Sequence, residues 1–598
     1  MESIKRRWLA IMTSLGAMGC FGQAMPAELT LGGGVLILMG MMWAEGRRRS
    51  SLPVMSLWLW PLLGVGLSSG TPSLVRVTYA VGLGLLGYGL LRWLERRPVE
   101  QPLPDKSGWV MLSLILLGFI LGGLQSWAIY QAGDRFMAQD TAYFEQCLWG
   151  WVNGRNFLMG SSQQWWLYDP PLTTHFAMHL SPLLLVVGGI YALFPSYVTL
   201  QVVQALSVTL ACFPLYLLVR TRSVRAAWLW CGAYLAQTAV WSQALLGFHE
   251  LALAAPGVSW ATAGLLTRRW RWLMGGLMLA MLAREDLALM AIMAGCLGVL
   301  RPGWREKLRW GLFPLLLGGS GWVGAGVLMR AWGASGGQVI LSLFAHFGDT
   351  PVEIAQNMLL HPLDVVRFML EGNRLHYVLE LLAPGLLGAL GNPVSLLVLP
   401  AVGINLLVRG AAIAWPDVHY SVYLPPVLMQ ASVMFWQARE ETLARKLAIP
   451  LEQFRLALPL LGLLSALTAT PNVLPQRIGM WRTPPDRLEL LQALSHVPSG
   501  APLAAPRHAL PWVAQREQLF IVNRVAAYTR WSPEYILVDA EPDRVGLADG
   551  SVPSYQAYVE RLVSTPGVVQ LWSGQYYRLY RDPSAGQQSL PLPQEAEP

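Results

Sequence analysis

Charge is what this chain has least of. Only 13% of its 598 residues are Asp, Glu, Lys or Arg, while 54% are hydrophobic. A soluble globular domain carries about 25% charged residues, so a wholly water-exposed fold is excluded. Cysteine is scarce too: five residues, an odd number, with Cys20, Cys212, Cys231 and Cys296 inside apolar segments. They show neither metal-ligand spacing nor a disulfide framework and read as small packing residues. No internal repeat is visible, although transporters often carry repeated halves. The net charge of +8 resides in short clusters, "KRR" at Lys5, "RRR" at Arg47, "ERR" at Glu95 and "RRWR" at Arg268. With no interleaved aromatic groove, these are topology signals at helix ends, and nucleic acid is not an expected partner.

What the chain does have is apolar blocks near the ~20 residues needed to span a bilayer, separated by Arg-rich or Pro/Gly-rich turns. The 27 Trp fit membrane–water interfaces. The fold class is therefore an all-α polytopic membrane protein of about 15 transmembrane helices, closed by a small C-terminal α/β extramembrane domain. Residues 1–106 read as N-terminal membrane helices that begin with an uncleaved hairpin, Trp8 to Gln23 and Leu29 to Ala44, in preference to a cleaved signal peptide. Residues 107–470 form the core, with an outer loop over 131–182. Residues 471–585 hold the α/β domain, with strands at "APLAAP", "LFIV" and "YILVDA" and helices at "DRLELLQALSH" and "SYQAYVERLV". The Pro/Gln/Glu tail, 586–598, reads as disordered.

Keeping Lys/Arg clusters on the cytoplasmic side orients the crossings. Trp109 to Tyr130 exits the cell interior and Val198 to Val219 returns to "RTRSVR", so Leu183 to Phe194 between them is interfacial or re-entrant. Crossings then alternate through Ala226–Leu246, Leu251–Leu266, Trp272–Ala283, Leu287–Leu300 and Trp310–Met329. Val378–Leu390, Val394–Val408, Val422–Trp436 and Leu456–Leu467 complete the series. This threading puts most isolated ionisable residues on the outer side: Asp134, Asp140, Glu145, Asp169, His175, His179, His249, Glu250, Arg284, Glu285, Asp286, Asp417 and His419. Polar groups at membrane depth face cavities or partners, so their convergence suggests a site.

Plainer readings stand beside that one. Asp134 and Glu145 fit solvated loop positions, and Asp140 fits a helix N-cap. His175 and His179, four apart, could share a helix face as metal ligands or as interfacial anchors. "RED" at Arg284 could be a structural ion pair, since three adjacent charges cost several kcal/mol in hydrocarbon unless paired or wet.

Four blocks in order resemble an uncharacterised prokaryotic family of predicted membrane proteins, defined by a domain of unknown function. They are "DTAYFEQCLW", "HLSPLLLVVGGIYALFPS", "GFHELALAAP" and "LAREDLAL". In that family the first block reads D-x-G-x-[FY]-[DN]-Q-x-x-W. Asp140, Phe144, Gln146 and Trp149 match it, while Ala142 replaces its Gly and Glu145 takes the acidic or amide position. His179, Ser181 and Pro182 match H-F-S-P with Leu180 for Phe. Phe248 and His249 match F-H, and Arg284 replaces the Lys of K-E-D beside Glu285 and Asp286. The resemblance runs from Trp109 into the C-terminal domain and leaves out the first hundred residues.

That family is distantly similar to the GT-C glycosyltransferases, multispanning enzymes that use polyprenyl-phosphate-linked sugars on the outer face. The resemblance implies a GT-C-like core and transfer of a sugar from a polyprenyl-phosphate donor to an acceptor outside the cytoplasm. Asp140 stands where those enzymes carry an acidic residue in the first large outer loop, although no D-x-D or E-x-D pair accompanies it. It implies Asp140 as catalytic base, with Arg284 on the departing phosphate and Arg135, Arg155 or Arg374 in reserve. His249, Glu250, Glu285, Asp286, Gln146, His179 and His419 would bind or orient substrate. Paired carboxylates plus His are compatible with a divalent ion such as Mg or Mn, but the spacing does not demand one. The expected partners are a polyprenyl-phosphate-linked sugar and the bilayer. The competing classes are a transporter or flippase and a non-catalytic assembly protein.

Overall fold

A computed structural model of the chain describes residues 107–132, 138–162, 172–333, 343–372, 374–409, 416, 418–480, 486–522, 533–540 and 552–585. The expected N-terminal membrane helices (1–106), the tail (586–598) and Asp134, Arg135, Asp169 and Asp417 lie outside the described residues.

The core is helical. Its elements include α1 (Ser107–Ala132), α2 (Ala138–Val152), α3 (Tyr197–Leu210), α4 (Ala254–Leu266), α5 (Trp270–Ala283), α6 (Ala288–Val299), α7 (Phe313–Ala331), α8 (Leu424–Gln437) and α9 (Leu451–Met480). Three described helical stretches are long and apolar enough to cross a membrane: Ser107–Tyr130, Tyr197–Val219 and Trp304–Ala331. A fourth exists if Glu440–Leu447 and Leu451–Leu467, bent by 105°, make one span.

Of the fifteen or so crossings expected, three or four are met by length and composition among the described residues. An apolar block is not necessarily one straight helix. α4, α5 and α6 have 13, 14 and 12 residues, or about 18–21 Å of rise against a hydrocarbon core of about 30 Å. The chain turns at its polar interruptions, in 3-10 turns at Glu250–Leu253 and Glu285–Leu287. These turns fall at the junctions expected between successive apolar runs.

Close helix contact depends on small residues. α4 and α5 pack backbone to backbone: a Cβ on Gly276 would overlap the Ala261 backbone nitrogen, and one on Gly264 would overlap the Leu273 backbone. Such small-residue seams let helices approach where side-chain burial in lipid provides little driving force.

Five strands form the C-terminal sheet: β1 (Leu503–Ala505), β2 (Leu519–Ile521), β3 (Tyr535–Asp539), β4 (Val569–Ser573) and β5 (Tyr577–Arg581), in the order β2-β1-β3-β5-β4. β1 runs parallel to β2 and β3, and the β4–β5 hairpin pairs antiparallel to β3 through β5. The first three strands correspond to the apolar runs read in the sequence. The hairpin was not read there because β4 is largely exposed and carries no burial alternation. α9 continues to Met480, beyond the boundary expected at 470.

α2 joins the two parts. Tyr143, Phe144, Cys147 and Leu148 enter the main helical core. Ala142 instead packs with Leu490, Leu503, Leu510 and Leu579 of the C-terminal domain.

Candidate functional site

The site is assembled around the N-terminal turns of α2. Asp140 lies in the first turn rather than at the cap, since the helix starts at Ala138. A carboxylate there is favoured by the helix dipole. Its neighbour Thr141 docks the "GFHE" segment: the Phe248 N–H donates to Thr141 Oγ1 at 2.9 Å, and Gln201 of α3 lies against the same hydroxyl at 3.2 Å. One turn along α3, Gln204 accepts from the His249 N–H at 2.7 Å. Its Nε2 donates to the carbonyls of Gln243, Leu246 and Gly247 at 2.7, 3.1 and 3.1 Å. These buried amides satisfy a backbone turn that would otherwise be left dry and unpaired.

The ionisable side chains then meet. His249 Nδ1 lies 3.0 Å from Glu250 Oε2, and the His249 ring stacks on His419 at 3.6 Å. Phe144 holds the other side of the cluster, edge-on to His249 at 5.6 Å and to His175 at 5.3 Å. His179 Nδ1 is 2.9 Å from Glu285 Oε1, while the Leu180 N–H donates to Oε2 at 2.9 Å. Arg284 makes a two-pronged pair with Asp286, its Nε at 2.9 Å from Oδ1 and Nη2 bonded to Oδ2. Its Nη1 has no protein partner among the described residues. The guanidinium carbon sits 6.0 Å from the Tyr420 ring centre.

Burial and charge set the protonation states. His175 is held at about 3, chiefly by burial, so it stays a neutral imidazole that meets the Tyr143 hydroxyl at 2.8 Å. Burial also drives His419 well down, with His249 adding to the effect. For His179 burial opposes the charge, but Glu285 prevails and raises it. Burial works against both members of the Arg284–Asp286 pair, yet each holds the other charged: Arg284 moves up and Asp286 down. Burial raises the Tyr420 hydroxyl, which feels Arg284 from one direction and Asp140, Glu250 and Asp286 from others.

Several buried polar atoms in this cluster have no hydrogen-bond partner among the described residues: His175 Nε2, His419 Nε2 and both Glu250 oxygens, although Oε2 lies at ion-pair distance from His249. Orphaned groups of this kind are uncommon in a folded interior.

Asp140, His179, His249, Glu250, Arg284, Glu285, Asp286 and His419 are thus gathered in one region. Gln146 is not part of it. Its amide donates to Ser161 Oγ at 2.8 Å and to the Arg516 and Glu517 carbonyls at 3.1 and 3.0 Å, and it accepts from the Ser162 N–H. It is a joint between α2 and the C-terminal domain. Arg155 pairs with Glu517 at 3.3 Å, and Arg374 donates to the Leu406 and Val408 carbonyls.

Two plain readings change. Glu145 is no solvated loop residue but is buried, accepting from Tyr191 and Gln515 at 3.2 and 3.1 Å. His175 and His179 turn to different partners, Tyr143 and Glu285, rather than to one metal. Among the described residues no three His, Cys, Asp or Glu side chains are disposed to hold a metal ion. Thr141, Tyr143, Gln201, Gln204 and Tyr420 were missed in the sequence. The two glutamines inside the apolar Tyr197–Val219 run were the available signal.

A family model described as "Predicted membrane protein (DUF2079)" matches residues 136–557. Among solved structures, the chain is similar to ArnT from Cupriavidus metallidurans. The crystal structure bound to undecaprenyl phosphate shows 12% identity and a TM-score of 0.45, covering 80% of this chain and 98% of that one. The apo structure shows 13% identity and a TM-score of 0.45, covering 79% and 98%. The Archaeoglobus fulgidus oligosaccharyltransferase, in complex with zinc and sulfate, is similar at 14% identity and a TM-score of 0.36, covering 75% of this chain and 70% of that one. No curated protein matches the chain. The functional reading rests on the site and not on these distant likenesses.

Proposed function

This chain belongs to the DUF2079 family of predicted membrane proteins, and from that premise we propose that it is a membrane-embedded glycosyltransferase. It transfers a sugar from a polyprenyl-phosphate donor to an acceptor hydroxyl on the outer face of the membrane. The observation that supports this reading is that a first-turn carboxylate, Asp140, and a buried guanidinium, Arg284, both lie within electrostatic range of Tyr420.

Asp140 takes the proton from the acceptor hydroxyl as its oxygen bonds to the anomeric carbon. The bond from that carbon to the phosphate oxygen breaks, and negative charge grows on the departing polyprenyl phosphate. Arg284 meets that charge through Nη1, while Asp286 holds the guanidinium plane through Nε and Nη2. Glu285 fixes the His179 ring in the same wall, and the stacked His249–His419 pair with Glu250 supplies hydrogen bonds to sugar or acceptor. The apolar helices beside the cluster accommodate the polyprenyl tail.

The test is incubation of the purified protein in lipid with a panel of polyprenyl-phosphate sugars, followed by detection of free polyprenyl phosphate. Release by the native chain and its loss in Asp140→Asn support the reading. A native chain inert toward every donor, or an Asp140→Asn variant with full activity, contradicts it.

A further inference from the structure

Two short helices that the proposed chemistry does not use, Pro351–Leu360 and Pro362–Leu370, follow the Trp304–Ala331 span. Six of their hydrophobic side chains are turned outward. Val352, Leu359, Leu360, Leu363, Val366 and Leu370 are exposed, Leu363 at 82% and Leu359 at 79%. No described residue covers them.

The second helix has three faces of different chemistry. At about 100° per residue, Leu363, Val366 and Leu370 share one face. Next around the axis come Arg367, Glu371 and Asp364, all exposed. The third face, Val365, Phe368 and Met369, is half-buried. On that side the helix packs against Arg374–Leu382 and Leu399–Leu407, with the Arg374 guanidinium 4.1 Å over Phe368 and His346 stacked on it at 4.3 Å.

An apolar face, a charged face beside it and a protein-packed face are what a helix lying in the plane of a membrane surface requires: acyl chains below, water above, protein behind. Crossing is ruled out by length, since nine residues rise about 14 Å against about 30 Å of hydrocarbon. The segment follows the candidate span Trp304–Ala331, whose Trp322, Val323 and Val327 are exposed as lipid-facing side chains are.

We propose that Pro351–Leu370 is an in-plane membrane anchor whose Leu359, Leu363, Val366 and Leu370 enter the acyl-chain region of the leaflet where the Trp304–Ala331 span ends. Phospholipid fits better than a second copy of the chain. The stripe is only a few side chains wide, whereas a stable protein interface buries about 800 Å² per partner. Leu375, Leu399 and Ile404, on the two helices that Pro362–Leu370 packs against, are exposed as well.

The experiment uses the full chain with its five native cysteines replaced and a single cysteine at position 363, 366 or 364. Each carries an environment-sensitive fluorophore, in phosphatidylcholine nanodiscs holding one copy and lipids with a quencher near the top of the acyl chain. The labels of Leu363→Cys and Val366→Cys should be quenched several-fold more than that of Asp364→Cys. Equal quenching at all three positions, or none at 363 and 366, overturns the proposal. Burial of the 363 label only when two copies share a disc overturns it as well, by assigning the stripe to a second copy. In the chain with native cysteines, a photoactivatable phosphatidylcholine should crosslink to peptides spanning 351–370, and absence of that crosslink also overturns it.

Discussion

Replacing Arg284 by Lys separates a phosphate-binding role from a purely structural pair. The guanidinium reaches Asp286 with Nε and Nη2, and in the proposed reaction Nη1 meets the phosphate. A lysine has one compact ammonium, which can stay with Asp286 or turn to a phosphate but cannot do both with the same geometry. Arg284 is only 8% exposed in its side chain, so solvent screens the loss weakly. Removing one hydrogen bond to a charged group costs about 1.5–3 kcal/mol, or about 10- to 150-fold in rate at ~1.4 kcal/mol per decade. The expected result is a fall of that size in kcat/KM for the polyprenyl-phosphate donor, with the acceptor KM nearly unchanged. Initial rates with each substrate varied in turn provide the measurement. Asp286→Asn and the double variant complete a cycle, in which a coupling of about 0.5–3 kcal/mol is expected for groups in direct contact. An equal loss toward donor and acceptor would reduce Arg284 to scaffolding, and no loss at all would remove it from the site.

Asp140→Asn keeps the shape and removes the base, so turnover should fall by about 10²- to 10⁴-fold while the protein still inserts and folds, as read by yield and gel filtration in detergent. Burial, opposed by hydrogen bonds from Gln515 and Tyr191, lifts the Glu145 carboxyl from 4.5 to about 7. A raised carboxyl favours the folded state below 4.5 and loses that contribution as pH rises through about 7. Thermal stability should therefore decline across that window by on the order of 3 kcal/mol, and Glu145→Gln should flatten the profile. His179 titrates above its ordinary 6.5 because Glu285 outweighs burial, so its stabilising share is complete below 6.5 and disappears as pH climbs past the raised value. Heat-stability curves of native and His179→Gln protein should accordingly converge toward high pH. Gly276→Val drives a branched side chain into the Ala261 backbone; rigid backbone cannot yield, so a loss of about 3 kcal/mol or more is expected, visible as a drop in folded yield.

Much of the candidate site was legible before any coordinates, because ionisable residues in an apolar chain are rare enough to stand out. Asp140, His249, Glu250 and the Arg284–Asp286 run were conspicuous on that ground alone. The groups that position them were not conspicuous. Gln201 and Gln204 looked like incidental polar residues in a spanning helix, yet they carry the turn that holds His249. Glu145 and Gln146 follow Asp140 by less than two turns, but their partners Gln515, Arg516 and Glu517 lie some 370 positions away. Local pattern carries no information about such contacts.

The sequence by itself determined the solvent: too little charge and too many long apolar runs leave a helical membrane protein as the class, with a polar C-terminal segment outside the apolar core. Hydrophobic transfer depends on composition within a short window, which is why that much could be read. Where helices bend, which blocks remain too short to span, and which carboxylate meets which imidazole depended on tertiary contacts between distant segments. A hydrogen bond made at 3 Å across hundreds of residues is a property of the packed chain, and only the packed chain shows that Arg284 turns two of its nitrogens to Asp286.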